Sequence, residues 1–236
     1  MLRKILVWIG YLFGVLVALA VCYGSYVYVR SEKILSTKYD APPTTLVIPT
    51  DSQSIARGEH LARAVTSCVL CHGEGLAGKV YVDMGPVGLV AGPNLTRGKG
   101  GVGATLTDAD WVRAVRHGVR PDGTSLIIMP SEVFTYLSAE DLGSIIAYAK
   151  QLPPVEQEVP ETHFRPLGRW LLSRGKMPIL VAPKTPRVEL MPSVPRETTK
   201  EYGSISQMLR DAMDVTGLVY QVGGLPVLRV RHLLRI

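Results

Sequence analysis

The chain opens on one unbroken apolar block and then divides into short amphipathic periods. From Ile5 to Val29 there are 25 residues without a charge, "ILVWIGYLFGVLVALAVCYGSYVYV". That is enough to cross a hydrocarbon core with some tilt. A secretory signal has an apolar core of roughly 7–15 residues followed by a small-residue cleavage site. Here the block continues past Ala18-Leu19-Ala20, so the pattern predicts an uncleaved anchor over residues 1–30. Leu19 to Cys22 resembles an acylation box only loosely, because Val21 stands where a small residue is usual. Trp8 and Tyr11 near one end, and Tyr23, Tyr26 and Tyr28 near the other, fit interfacial aromatic belts. Arg3 and Lys4 favour a cytoplasmic amino end, partly offset by Arg30 and Lys33. The rest of the chain is then expected on the extracytoplasmic (periplasmic) side of a single-pass span.

Residues 31–50 are polar with three prolines and read as an extended tether. Residues 51–152 read as a compact domain. Its first helix is expected from Ser52 or Ser54 through "IARGEHLARAVTSC", with Ile55, Leu61, Ala62 and Val65 on one face. Gly73 to Gly103 is glycine-rich and lacks periodicity, so it is expected to be loop. Thr107 and Asp110 form a capping box before "WVRAVRH", with Trp111, Val112 and Val115 inward and Gly118 as the stop. Ser138 and Asp141 repeat that logic before a helix whose stripe is Leu142, Ile145, Ile146 and Ala149. No strand alternation stands out. The fold class expected is all-α, a small helical domain behind one transmembrane helix, with a Pro-rich extension.

Between residues 153 and 195 there are nine prolines, which marks 153–200 as a linker. Its one helix-like piece is "LGRWLLSRG". That piece reads as locally packed linker, or as a surface or partner-docking helix, since Trp170, Leu171 and Leu172 are costly to expose. Residues 201–236 regain amphipathic character without suggesting a role.

Composition narrows the chemistry. The net charge is +6, but the basic residues are dispersed, with no run of five and no zinc-finger spacing. No nucleic-acid partner is expected. Acidic protein partners and membrane lipid suit such a surface about equally. Three cysteines make no disulfide framework, so Cys68 and Cys71 are judged on local chemistry.

Cys68-Val69-Leu70-Cys71-His72 is C-x-x-C-H. Two intervening residues set the sulfurs at the separation of porphyrin vinyl groups, and the adjacent histidine then lies under the iron. Zinc would need a second ligand pair, which the sequence lacks. A redox disulfide would want a βαβ setting. One covalent haem c is the expected cofactor, its iron held by His72. Of the methionines, Met84 and Met129 lie inside the domain. Met129, fixed by Pro130 in a loop before the last helix, is the expected sixth ligand; Met84 and His117 are the lesser candidates.

Three blocks in order, "RGEHLARAVTSCVLCHG", "GPNLT" and "MPSEVFTYLSAEDLGSIIAYAKQLPP", resemble a class I cytochrome c domain. The resemblance covers about 100 of the 236 residues. It implies that the first and last helices cross over the haem edge, and that the Pro93 carbonyl accepts the ring N–H of His72. Arg116 and Arg120 are candidate partners for the haem propionates, or else solvated charges at a helix end. The variant most similar is the membrane-bound cytochrome with a second haem domain opening at "EYG". Here Glu201-Tyr202-Gly203 is followed by no C-x-x-C-H, so the tail is expected to be a degenerate or truncated second domain.

The resemblance implies an electron-transfer protein rather than an enzyme. It would carry single electrons between partners at the membrane: a quinol-oxidising complex, a dehydrogenase or a terminal oxidase. The same residues fit the haem subunit of a periplasmic dehydrogenase complex. A haem peroxidase, a sensor and a structural assembly subunit are the rival classes; an open sixth coordination position would mark the first two.

Overall fold

The computed structural model describes residues 1–191; the expected tail at 201–236 and the end of the linker lie outside them. Helix α1 spans Leu2–Leu35 and is long and apolar enough to cross a membrane. Its side chains are exposed along nearly the whole length, except Val27 and Ser31 near the carboxyl end.

The domain that follows is built around a crossing of two helices. Helix α2, Ser52–His60, starts where Asp51 accepts from the Ser54 N–H at 2.9 Å. Helix α6, Ala139–Gln151, starts where Ser138 accepts from the Asp141 N–H at 3.1 Å. They cross at Gly58, where a Cβ would stand 1.9 Å from the Ser144 carbonyl oxygen. Only glycine allows that approach. Arg57 and Asp141 pair across the crossing. Between them α4, Asp108–His117, carries the expected capping box: the Asp110 N–H donates to Thr107 Oγ1 at 3.2 Å, and the Thr107 N–H to Asp110 Oδ2 at 3.1 Å. Gly118 ends α4 in the left-handed region. Short α5, Ser131–Phe134, lies against α4. Leu142, Ile145, Ile146 and Ala149 from α6 meet Trp111, Val112 and Val115 from α4 in one core with Leu61, Leu76, Phe134 and Leu137.

The fold is not all-α. Strands β1, Lys79–Asp83, and β2, Gly88–Gly92, form an antiparallel hairpin inside the stretch expected to be loop. A third strand, β3, His163–Phe164, pairs antiparallel with β2. The register shifts between Val80 and Val82, and such a bulge breaks the alternation that would have announced a strand. Gly88 has φ 148° and lies against the His163 carbonyl, where a Cβ would be 2.4 Å away. Thr162 Oγ1 accepts from the Ala91 N–H at 3.0 Å. The sheet is thus assembled by a segment more than seventy residues away.

Residues on either side of the domain pack onto it. In the stretch read as a tether, Leu46 and Ile48 join the core, and Val47 and Pro49 lie over Gly143 of α6. In the Pro-rich stretch, α7, Pro166–Ser173, lies on α1. Phe164, Leu172, Met177 and Ile179 form a second core with Leu35, Val87, Ile127 and Ile128. The "LGRWLLSRG" piece is therefore a helix with a buried side.

Candidate functional site

The C-x-x-C-H residues form a helical turn of their own. The helix predicted through Cys68 instead widens to a π turn at Leu61–Val65 and breaks at Ser67, which is left-handed at φ 48°. Helix α3, Cys68–His72, restarts from there. The break turns the two cysteines and the histidine away from the line of α2. Gly92 lies directly beneath them: a Cβ there would be 2.1 Å from the Cys71 carbonyl oxygen. This contact brings Pro93 under His72, and His72 Nδ1 stands 3.0 Å from the Pro93 carbonyl oxygen. With Nδ1–H donating to that carbonyl, the ring leaves Nε2 as its free lone pair. Burial pushes the His72 pKa down, which keeps the ring neutral and able to ligate.

Both thiols are held neutral. Burial raises Cys71 to about 11, with Cys68 adding to the rise, and burial likewise raises Cys68. These are not the low-pKa thiols of a redox or nucleophilic site. Among the described residues no cluster of three or more His, Cys, Asp or Glu side chains could hold a metal ion.

Cys68 and Met129 belong to the same half-buried apolar fringe of the main core, with Val65, Val69, Leu95 and Leu106. A flat apolar macrocycle between the α3 turn and the Met129 loop would be lined by that fringe. One buried donor there has no partner: Trp111 Nε1, on the side chain that packs into the same core. An indole N–H of this kind, buried among apolar groups, fits an acidic substituent of the macrocycle. The residues present therefore fit a covalently held haem. Sequence reading placed Trp111 inward only as core; its signal was the rule that a buried Trp needs an acceptor.

The loop carrying Met129 is held from outside the helical domain. Ile128 sits in the left-handed region at φ 65°, a conformation costing about 1–3 kcal/mol for a non-glycine residue. Its N–H donates to the Ile179 carbonyl at 3.0 Å, and the Val181 N–H returns to the Leu126 carbonyl at 3.1 Å. Ser125 Oγ accepts from the N–H groups of Val181 and Ala182, each at 2.9 Å. Residues 179–182 thus clamp the chain just before Met129. The linker reading gave no sign of this.

The remaining candidates lie elsewhere. Arg116 is fully buried, its guanidinium donating to the Thr135 carbonyl at 3.1 Å and the Val188 carbonyl at 2.5 Å, while its Nε has no partner. It is not a solvated helix-end charge. Arg120 donates to the Ser125 carbonyl at 2.5 Å. It lines a cavity of about 250 Å³ with Ser125, Ile127, Thr162 and Phe164. Met84 lies in the β1–β2 turn. His117 Nε2 is 3.5 Å from Thr44 Oγ1. Burial first, then Arg187, Arg116 and Arg113, lower its pKa to about 4.

Residues 53–148 match the family described as Cytochrome C oxidase, cbb3-type, subunit III. The chain is 35% identical over 116 residues to the fructose dehydrogenase cytochrome subunit of Gluconobacter japonicus, covering 46% of this chain and 24% of the relative. It is 32% identical over 157 residues to the cytochrome c subunit of the quinone alcohol dehydrogenase of Gluconacetobacter polyoxogenes, covering 62% and 33%. It is 38% identical over 100 residues to the gluconate 2-dehydrogenase cytochrome c subunit of Pantoea cypripedii, covering 40% and 22%. The chain spans about a quarter to a third of the length of these curated relatives. The match falls on the residues that build the α3 turn, the Met129 loop and the α2–α6 crossing: residues 53–148 are a c-type cytochrome domain, a module that holds its haem c covalently.

Proposed function

We propose that this chain is a membrane-tethered carrier of single electrons, with one haem c bonded through Cys68 and Cys71 and its iron held by His72 and Met129. The haem supplies a one-electron couple, and thioether ligation by methionine favours the ferrous state. The chain's own residues do the rest. The observation that carries the reading is the 3.0 Å contact of His72 Nδ1 with the Pro93 carbonyl, which fixes the ring and frees Nε2. The clamp on Ile128 fixes the loop on the other side. Two fixed ligands leave no open coordination position, which separates a carrier from a peroxidase or a gas sensor. Trp111 brings a buried donor that suits a propionate.

The relatives are named as subunits of dehydrogenases, and this favours a haem subunit of a periplasmic dehydrogenase complex over a free shuttle between a quinol-oxidising complex and a terminal oxidase. Arg3 and Lys4 support an amino end in the cytoplasm and a haem domain on the periplasmic side. A redox-resolved optical spectrum with a pyridine haemochrome tests the core of the reading: one haem per chain and a methionine charge-transfer band in the ferric form. Met129→Ala is expected to abolish that band, lower the potential and admit carbon monoxide to the ferrous form. An unchanged spectrum would overturn the ligand assignment. Co-purification with a large dehydrogenase subunit tests the complex.

A further inference from the structure

Helix α7 lies outside the cytochrome match and is joined to α1 more tightly than a linker requires. Arg169 donates to Glu32 at 2.9 Å and to Ser31 Oγ at 3.1 Å, and its guanidinium lies 4.4 Å over the Tyr28 ring. Arg30 Nε donates to the Ser173 carbonyl at 2.8 Å. Trp170 Nε1 donates to the Tyr23 hydroxyl at 2.9 Å. On its other side α7 is pressed against the domain at Gly168, where a Cβ would be 2.0 Å from the Val87 carbonyl oxygen. The helix is a wedge between anchor and domain.

The depth of Tyr23 decides what the wedge touches. The uncharged stretch Ile5–Val29 is centred on Val17 and is about 37 Å long at 1.5 Å per residue. A hydrocarbon core about 30 Å thick, centred there, ends near residue 27 of an untilted helix. Tilt would only bring more of the stretch inside. Tyr23 then lies within the apolar layer or at its edge, and Trp170 is bonded to it. The side of α7 turned from the protein carries Leu167, 42% exposed, and Trp170, 39% exposed. Exposed Arg174 and Lys176 follow at its carboxyl end, and exposed Lys33 stands near the end of α1. Outward apolar residues at i and i+3 with cations at the rim are the pattern of a helix lying in a bilayer interface.

We infer that α7 is a second membrane contact, seated in the outer headgroup layer of a phospholipid bilayer, with Leu167 and Trp170 toward the acyl chains and Arg174 and Lys176 on anionic headgroups. The inference rests on α1 spanning the membrane. It makes the domain a body with a fixed face toward the bilayer rather than a float on a string.

The test uses the full chain in nanodiscs of phosphatidylcholine and phosphatidylglycerol, in a Cys22→Ser background. An environment-sensitive NBD label is placed at Leu167→Cys, Leu16→Cys or Glu156→Cys, and the haem spectrum confirms the fold of each. Leu167→Cys is expected to emit blue-shifted from Glu156→Cys, to be quenched by lipid carrying a doxyl group near the headgroup, and to resist iodide. Leu16→Cys reports the span itself. A label at Leu167→Cys as water-exposed as Glu156→Cys, with Leu16→Cys buried, would overturn the inference and leave the anchor intact. Exposure of both would mean that the anchor reading had failed.

Discussion

Ser125→Ala should loosen the Met129 loop without touching it. Ser125 is 1% exposed, and its one oxygen accepts from two backbone N–H groups, Val181 and Ala182, each at 2.9 Å. Alanine leaves the Ala182 N–H buried and unsatisfied, at about 1–3 kcal/mol, while the Val181 N–H keeps the Leu126 carbonyl at 3.1 Å. Segment 179–182 can move away to rehydrate the Ala182 N–H, so a loss of about 1–3 kcal/mol is expected. That segment also holds Ile128 at φ 65° through the Ile179 carbonyl, and once free the residue relaxes toward an ordinary conformation. Opening of the loop should then rise by about 5- to 150-fold, since 1.4 kcal/mol is a factor of ten. Under the proposed ligation, imidazole added to ferric protein competes for the position of Met129, so its apparent affinity should rise by a similar factor. A titration at several imidazole concentrations measures it, beside a urea curve followed by ellipticity. Lower urea stability with unchanged imidazole affinity would refute the claim that this segment governs the methionine loop.

Gly92→Ala is expected to cost about 2–3 kcal/mol by overpacking, because its Cβ would meet the Cys71 carbonyl oxygen at 2.1 Å; a urea midpoint shift and a lower haem yield check it, and a midpoint equal to wild type would contradict it. The pKa of His117 falls from 6.5 to about 4 on folding, so the unfolded chain binds the extra proton between those values. The stability this gives is fully present above pH 6.5 and is lost, by about 1–3 kcal/mol, as pH falls toward 4. Denaturation across pH 4–7 should show a slope that His117→Gln removes.

Much of the helical frame was legible because its signals are local. Thr107 and Asp110 cap α4 whatever surrounds them, and Leu142, Ile145, Ile146 and Ala149 share a face by spacing alone. The α3 turn was legible because five consecutive residues encode it. What escaped depends on distant chain. The β1–β2 hairpin carries a bulge at Val80–Val82 and is completed by His163–Phe164. Nothing within "MPILVAP" indicates pairing with Ser125 to Ile128, since both pieces are short and apolar and neither has a period. Arg116 looked like a solvated helix-end charge because its acceptors, the Thr135 and Val188 carbonyls, lie 19 and 72 residues away.

The clamp also imposes an order in time. The chain is synthesised amino end first, so Cys68, Cys71 and His72 emerge well before Val181 and Ala182. Through that interval the attachment turn can form on Gly92 and Pro93 while Ile128 is still unrestrained, and the methionine side stays open to a large planar guest. Synthesis of some fifty further residues beyond Met129 then supplies the segment that closes it. A chain stopped before Ile179 would present the attachment motif whole and yet lack the hold on the Met129 loop.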